Sequence, residues 1–396
     1  MKGGMFLTCL LGLLMGQVDW FGYLESEFDR FALNDKTYHF GYHKLRLDME
    51  TRPAETVLVA ANLNLHQYVG QTHWNFLDFI PPRYWNIILF APGNDSAMSI
   101  NPEIPYDYRD TLYLDNAYLR AAFPAVDLIV GKQPLSLGTG YAWNPVDIFN
   151  KKDPVDPTYE QTGIQALRFD VPLTSRGGLT LVVTPAATWQ EATRYVQVKA
   201  GLASFDITLN AAKYMSLYRY WDYVTYSGRL PTKTEYTAYG GTFVGQVLGV
   251  GIWGETWQKK HTVVSGKTFR ETILGFDYTF ENGFMVLSEF LFNEQGAATN
   301  NLSLNDYFAY FSGETHSLMQ HYQFLYASYP VSDFVRAGFL SIINYDDISA
   351  MISPQVDWDI FENGTLSIWY TFPYGNKETE FGYQEDGWRI RLRSYF

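Results

Sequence analysis

The sequence predicts an all-β protein: a transmembrane antiparallel β-barrel of about 18 strands, with 16 as the alternative count. Aromatic residues make up 17% of the 396 residues, yet charged residues make up 18% and the mean hydropathy is slightly negative, at -0.17. Apolar and polar residues alternate along many segments, and short turns alternate with long connections. A barrel with lipid outside and water inside needs apolar side chains on only one face of each strand.

Residues 1–16 are predicted to be a secretory signal peptide, because Lys2 precedes an apolar run that is too short to span a bilayer. Residues 17–396 are predicted to form a single transmembrane barrel. The single cysteine, Cys9, lies in the signal, so neither a disulfide framework nor a structural zinc site is expected. A formal net charge of -13 argues against nucleic-acid binding, which requires a basic surface.

Alternation is clearest at the C-terminus, where Trp388, Ile390 and Leu392 fall on one face and three arginines fall on the other. Similar segments, bounded by turn residues, recur along the chain. The predicted strands lie at 20–31, 38–48, 54–66, 110–122, 126–132, 163–172, 178–185, 193–200, 204–213, 235–244, 248–257, 268–280, 282–293, 316–329, 331–344, 349–360, 364–372 and 386–396.

Short and long connections alternate between these strands. Two of the short turns read Phe-Glu-Asn-Gly, and Asn-Gly is expected to supply the two positive-φ positions of a type I′ hairpin. The long connections are residues 67–109, 133–162, 214–234 and 294–315. Outer-membrane barrels have short periplasmic turns and long external loops, so the alternation places both chain termini in the periplasm.

The first and last strands of a closed barrel must pair with each other. An acidic row on the first strand and a basic row on the last are therefore predicted to form a barrel-closure ladder: Glu25, Glu27 and Asp29 beside Arg389, Arg391 and Arg393. Arginines at alternate positions lie about 6.6 Å apart and would repel one another without carboxylates opposite. The alternative is that each charged row simply faces solvent.

The other inward positions carry charges of both signs. The expected lumen charges are Arg120, Arg168, Glu271, Glu289 and Arg336. A barrel of roughly 16 to 18 strands is too wide for its own side chains to fill, so a wet, charged interior around an aqueous channel is expected.

Residues 133–162 are predicted to be an inward-folded loop. The segment is long, rich in glycine and proline, and too aromatic to extend freely into water, so it is expected to pack against the inner wall. The residues expected at the resulting pore constriction are Lys132, Trp143, Asn144, Asp147, Lys151, Lys152 and Asp153. The alternative is that glycine and proline only shape a stable lid over the rim.

Sequence signatures of catalysis and of metal binding are weak. Gly138-Thr139-Gly140 lacks the third glycine and the following helix of a nucleotide-binding loop, and residues 261–268 have His261 where a phosphate-binding loop needs glycine. His39 and His43 would lie about 13 Å apart along a strand, too far to share a metal ion. Common hydrolase signatures do not occur. No enzyme activity, metal or cofactor is therefore expected.

A family resemblance rests on one segment. Gly131-Lys132-Gln133, Gly138-x-Gly140 and Trp143-Asn144-Pro145-x-Asp147-x-Phe149 resemble the loop signature of porin-like outer-membrane barrels, a broad group that includes alginate-export-like proteins. Leu137 and Lys132 depart from the usual Trp and Arg of that signature. The resemblance implies a bacterial outer-membrane location, with lipid as a partner. The terminal Phe396 resembles the signal read by the outer-membrane assembly machinery, which implies that machinery as a transient partner.

The leading prediction is a porin-like channel for passive diffusion or export of small hydrophilic solutes, restricted by the loop and by charged lumen side chains. Two alternatives stay open. One is a non-conducting barrel whose external loops bind a surface partner through aromatic residues such as Trp74, Phe76, Tyr84 and Trp85. The other is a barrel-housed lipid hydrolase, built on a Ser/His pair brought together inside the folded barrel.

Overall fold

The computed structural model describes residues 18–33, 36–81, 105–157, 159–218, 221–222, 227–228, 232–261, 268–311 and 313–396. The predicted signal peptide lies outside the described residues, as do Tyr84 and Trp85.

Strands dominate the described chain. In chain order they are β1 (Val18–Leu33), β2 (Lys36–Ala54), β3 (Val57–Gly70), β4 (His73–Asn75), β5 (Pro105–Asp107), β6 (Thr111–Ala122), β7 (Asp127–Gln133), β8 (Ile164–Thr174), β9 (Gly177–Val183), β10 (Arg194–Leu202), β11 (Phe205–Tyr218), β12 (Trp221–Asp222), β13 (Ser227–Gly228), β14 (Thr232–Val247), β15 (Val250–His261), β16 (Thr268–Thr279), β17 (Met285–Asn293), β18 (His321–Pro330), β19 (Val335–Asn344), β20 (Ser349–Phe361), β21 (Gly364–Tyr374) and β22 (Gly387–Tyr395). Among the described residues, one 3₁₀ turn (Phe76–Phe79) and one helix, α1 (Leu304–Phe311), lie in loops.

Eighteen of these strands form one closed antiparallel sheet. The short hairpins β4–β5 and β12–β13 stand apart from it. Each barrel strand pairs with the next barrel strand in the chain, and β1 also pairs with β22, which closes the cylinder. The predicted barrel is therefore confirmed with eighteen strands rather than sixteen, and each predicted segment overlaps a barrel strand.

The two rims of the barrel differ. At one end, here called the turn rim, connections are short, such as residues 175–176 and 362–363. At the other end, here called the loop rim, connections include residues 134–163, 294–320 and 375–386. The barrel chain begins and ends at the turn rim. That the turn rim faces the periplasm stays a prediction.

The predicted type I′ geometry of the two Asn-Gly turns is wrong. Each turn has one positive φ rather than two, 81° at Gly283 and 63° at Asn363. Two consecutive positive values occur instead at Leu248 (52°) and Gly249 (85°), in the two-residue connection between β14 and β15. A two-residue turn with positive φ at both central residues matches the twist of the flanking strands, and this connection adopts it even though one of the two residues is leucine.

The outer face of the barrel is apolar. Trp20 is 59% exposed and Leu209 is 66% exposed, as suits side chains that meet lipid. Other large outward residues are Leu24, Phe28, Leu45, Leu65, Leu112, Leu274, Phe290, Ile368 and Ile390. Because side chains alternate along each strand, the intervening residues point inward. Among the described helices, none has the length and apolar character to cross a membrane.

The interior has two unlike halves. In the packed half, loop residues 134–163 form apolar clusters with the wall from β8 to β20. One cluster joins Trp143 to Trp253, Ile273 and Phe324, and the other joins Leu137 to Val182 and Trp257. In the wet half, along β20–β22 and β1–β2, polar and charged side chains line cavities. The loop thus supplies apolar surface that the wall alone lacks and fills part of the packed half, while a further cavity of about 280 Å³ in this half is lined by charged side chains such as Lys259 and Glu271.

Candidate permeation pathway

Two buried wall carboxylates hold the first half of loop 134–163. Glu255 lies on β15 and is 3% exposed, and Glu289 lies on β17 and is 0% exposed. Six backbone N–H groups donate to them: those of Thr139, Gly140 (2.6 Å) and Val146 (3.1 Å) to Glu255, and those of Tyr141 (2.6 Å), Ala142 (3.0 Å) and Trp143 (2.8 Å) to Glu289. Hydrogen bonds to a charged acceptor are the stronger kind, so the loop is held at two adjacent points.

The Gly138-Thr139-Gly140 segment cradles a carboxylate of the protein itself. Gly138 has a φ of 88°, and a Cβ there would lie 2.4 Å from Glu255 Oε1. A Cβ on Gly140 would lie 1.8 Å from the Trp143 carbonyl oxygen. Glycine at position 138 therefore lets the backbone approach Glu255, and glycine at position 140 lets the loop fold back onto Trp143.

Asp147 shapes the loop from within. Its carboxylate accepts hydrogen bonds from the backbone N–H groups of Leu137 (2.9 Å), Phe149 (3.0 Å) and Asn150 (3.0 Å). Burial raises the pKa of Asp147 to about 6, although these three donors favour the charged form. Asn144 adds a second internal link, because its Nδ2 donates to the Asn150 carbonyl at 2.8 Å.

The lysines expected at the constriction donate hydrogen bonds to backbone carbonyls. Lys151 Nζ donates to the carbonyls of Tyr310 (3.3 Å) and Thr315 (3.1 Å), and Lys152 Nζ donates to that of Gly140 (2.6 Å). Burial lowers the pKa of Lys151 to about 8. These contacts tie the loop to itself and to the connection that contains α1.

The two end members of the predicted constriction set also make local contacts. Lys132 Nζ donates to the Leu114 carbonyl at 2.9 Å and lies 4.0 Å from Asp115. Asp153 accepts from the Val155 N–H at 2.9 Å, and burial raises the pKa of Asp153.

The second half of the loop binds the opposite wall. Asp156 accepts from Arg391 Nη2 at 2.5 Å. Glu160 lies 2.6 Å from Arg46 and 3.2 Å from Lys44 on β2, and it accepts from the Tyr23 hydroxyl at 2.8 Å. The loop therefore crosses the lumen from wall to wall. Neither Val155 nor Asp156 was among the residues predicted for the constriction.

The seam between β1 and β22 carries three arginine–carboxylate contacts. Arg389 Nε donates to Asp29 at 2.8 Å, Arg391 Nε to Glu27 at 2.5 Å, and Arg393 Nε to Glu25 at 2.5 Å. The register places each pair directly opposite, because Glu25, Glu27 and Asp29 are the partners of Arg393, Arg391 and Arg389 in the sheet. All six side chains face the lumen.

Two cavities lie in the wet half, one towards each rim, and the level at which they meet is here called the narrow level. The loop-rim cavity has a volume of about 470 Å³ and is lined by aromatic residues and by Arg389. The turn-rim cavity has a volume of about 290 Å³ and is lined by Asp156, Asp357, Arg391 and Arg393. Val155 of the loop and Trp369 of β21 line both cavities, so the two spaces adjoin at these side chains.

The five predicted lumen charges face inward, but their surroundings differ. Glu271 is 2% exposed and pairs with His316 (2.5 Å) and Lys259 (3.4 Å), and Glu289 lies under the loop. Three others lie towards the turn rim. Arg168 pairs with Asp170 at 2.8 Å, Arg120 pairs with Asp127, and Arg336 stands opposite Asp357 in the sheet register.

The described residues contain no cluster of three or more His, Cys, Asp or Glu side chains suited to a metal ion. Ser26 Oγ lies 2.8 Å from His43 Nδ1, but register places this pair on the outer face of β1 and β2. It is therefore not the interior Ser/His pair on which the hydrolase alternative was based.

Comparison with known proteins bears on the fold. No protein-family model matches the chain, and no curated protein sequence matches it. Among similar solved structures, Acinetobacter baumannii OccAB1 has a TM-score of 0.57 at 9% identity, with 96% of this chain and 96% of that chain covered. Acinetobacter baumannii OccAB4 has a TM-score of 0.56 at 9% identity, with 96% of this chain and 98% of that chain covered. The chain therefore has an outer-membrane-type barrel fold of the porin kind.

Proposed function

We propose that the barrel is a channel through which small hydrophilic solutes diffuse passively across the bacterial outer membrane. The observation that supports this function is the pair of cavities that adjoin at Val155 and Trp369. They occupy the wet half and extend towards opposite rims. In this proposal loop 134–163 is the constriction, and loops face the exterior while the chain termini face the periplasm.

Transport through such a path makes and breaks no covalent bond. The loop limits solute size because its first half packs against one side of the lumen and its second half borders the space beside β20–β22. Its position is fixed, since hydrogen bonds and ion pairs attach it to two opposite walls. The channel is thus restricted by a rigid element, and solutes are sorted by size and by the field of lumen side chains.

The contacts of the other loops favour a channel over a surface-binding barrel. Trp74, proposed as a sticky external residue, packs against Phe40 (5.0 Å between ring centroids), Phe79 (5.2 Å) and Tyr108 (4.7 Å). Residues 294–320 fold against the constriction loop, where Lys151 Nζ lies 3.8 Å from the Tyr310 ring centroid. Trp74 and Tyr310 thus make contacts within the barrel, and Trp74 also lines the loop-rim cavity.

A cysteine at the narrow level tests the proposal. Cys9 is the single native cysteine and belongs to the predicted signal peptide, so Val155→Cys introduces one reactive thiol in the barrel. We expect a bulky uncharged maleimide to reduce the single-channel conductance of this variant in planar bilayers strongly. The matched control is Ala212→Cys, in the packed half and 6% exposed, which should not respond. A folded wild-type barrel that shows no conductance would refute the channel.

A further inference from the structure

Most of the basic side chains along the pathway are paired with carboxylates. Five basic side chains belong to the wall formed by β22 and β2: Arg389, Arg391, Arg393, Lys44 and Arg46. Each has a carboxylate oxygen within 3.2 Å. The six carboxylates involved are Glu25, Glu27, Asp29, Asp48, Asp156 and Glu160. A row of bare arginines would attract anions, but here both signs are present in nearly equal number.

Arg391 shows how completely such a charge is engaged. Its Nε donates to Glu27 and its Nη2 to Asp156, each at 2.5 Å. Its guanidinium carbon lies 5.4 Å from the Tyr159 ring centroid and 5.1 Å from that of Trp369. To bind Arg391, a solute anion would have to displace one of these carboxylates, and the remaining carboxylates nearby would repel it. A cation would meet the arginines in the same way.

Apart from Asp357, Arg30 and Glu385, the rest of the lining is uncharged and suits a polyhydroxylated solute. Ser353, Gln355, Ser367 and Thr371 present hydroxyl and amide groups from β20 and β21. Phe31, Trp74, Phe79 and Tyr108 present ring surfaces to the loop-rim cavity. Aromatic rings offer flat apolar surface, and hydroxyl and amide groups donate and accept hydrogen bonds without favouring either sign of charge.

Building on the proposed channel function, we infer that this pathway selects uncharged polyhydroxylated solutes of the size of simple sugars over anions and cations of the same size. The paired arginines and carboxylates form a polar wall that carries both signs of charge. The aromatic side chains of the loop-rim cavity form the apolar surface against which a sugar ring packs.

The test compares solutes of equal size in proteoliposomes and measures ion preference in planar bilayers. We expect radiolabelled glucose to enter faster than gluconate or glucosamine, and the ratio of chloride to potassium permeability to lie close to one. Faster entry of gluconate or of glucosamine, or a permeability ratio far from one, would overturn the inference while leaving the channel intact. Absence of entry for all three solutes, together with absence of conductance, would instead refute the channel.

A charge-unmasking variant sharpens the result. Asp156→Asn removes one partner of Arg391, so we expect chloride permeability and gluconate entry to rise. Asp333→Asn, an equal change of charge in an exposed turn at the turn rim, is the control and should leave both unchanged. Unaltered selectivity in a folded Asp156→Asn barrel would count against the explanation by paired arginines and carboxylates, and the wild-type measurement decides the inference even if this variant does not fold.

Discussion

The packed half and the wet half of the lumen both use inward carboxylates, but for different purposes. On the packed side, Glu255 and Glu289 accept hydrogen bonds from loop backbone and thereby fix the position of a chain segment. On the wet side, Glu27 and Asp29 accept from guanidinium groups and neutralise a charged wall beside open space. Inward carboxylates therefore have two roles. Where the donors are backbone N–H groups they hold the loop inside the lumen, and where the donors are guanidinium groups they form a charged wall beside open space.

Removing the two carboxylates that hold the loop should have the largest effect on the difference between the packed half and the wet half. In the double variant Glu255→Ala/Glu289→Ala, six backbone donors lose their acceptors, at a cost of roughly 1–3 kcal/mol for each buried group left unpaired. We expect the loop to leave the wall and the single-channel conductance to rise several-fold. Glu281→Ala, in an exposed turn at the turn rim, is the control. An unchanged conductance in the folded double variant would show that these carboxylates do not position the loop.

A smaller effect should follow pH at the loop rim. Glu380, in connection 375–386, accepts from the Tyr322 hydroxyl (2.5 Å) and from Asn344 Nδ2 (2.7 Å). Burial, then repulsion from Asp347, raises the pKa of Glu380 to about 7. The Glu380 carboxyl therefore binds its proton more tightly when connection 375–386 is folded than when it is unfolded. The free energy that stabilises the folded connection is greatest below the ordinary glutamate pKa and is lost as pH rises through 7, a loss of about 2 to 3 kcal/mol.

Hydrogen exchange measures this pH effect. After correction for intrinsic rates, residues 375–386 should be better protected at pH 5 than at pH 8. Glu380→Gln should remove the difference, whereas Glu378→Gln, at an exposed position of the same connection, should keep it. Equal protection at both pH values in the wild type would contradict a raised pKa of Glu380 in the folded connection.

The smallest effect is expected from a hydroxyl pair in the wet half. Ser353 Oγ and Thr371 Oγ1 lie 2.9 Å apart and line the loop-rim cavity. Removing both partners at once leaves no orphaned group, so Ser353→Ala/Thr371→Ala should fold normally and raise conductance slightly. The corresponding outward pair, Thr256 and Thr272 at 3.2 Å, gives the control variant, which should conduct like the wild type. Equal conductance in both double variants would place Ser353 and Thr371 off the pathway.

The barrel was predictable because its pattern is local and repetitive. Alternation along each strand specifies which residues point inward, and closure then brings Arg391 beside Glu27 whatever lies between them. No repeating pattern of this kind predicts the contacts of the loop with the wall. Glu255 and Glu289 meet backbone groups more than 100 positions away, and no pattern marks which inward glutamate will do so. The run Asp153-Pro154-Val155-Asp156-Pro157 was the available signal for the narrow level, since two prolines stiffen a short segment.

The last residue of the chain also matters for how the molecule is made. The backbone N–H of Phe396 donates to the Gly22 carbonyl, and the Gly22 N–H donates to that of Phe396, both at 3.1 Å. Contacts between residues so distant in sequence form late, because the ends must first find each other. Until β22 has paired with β1, the first hairpin keeps an unpaired edge, and an unpaired strand edge invites aggregation.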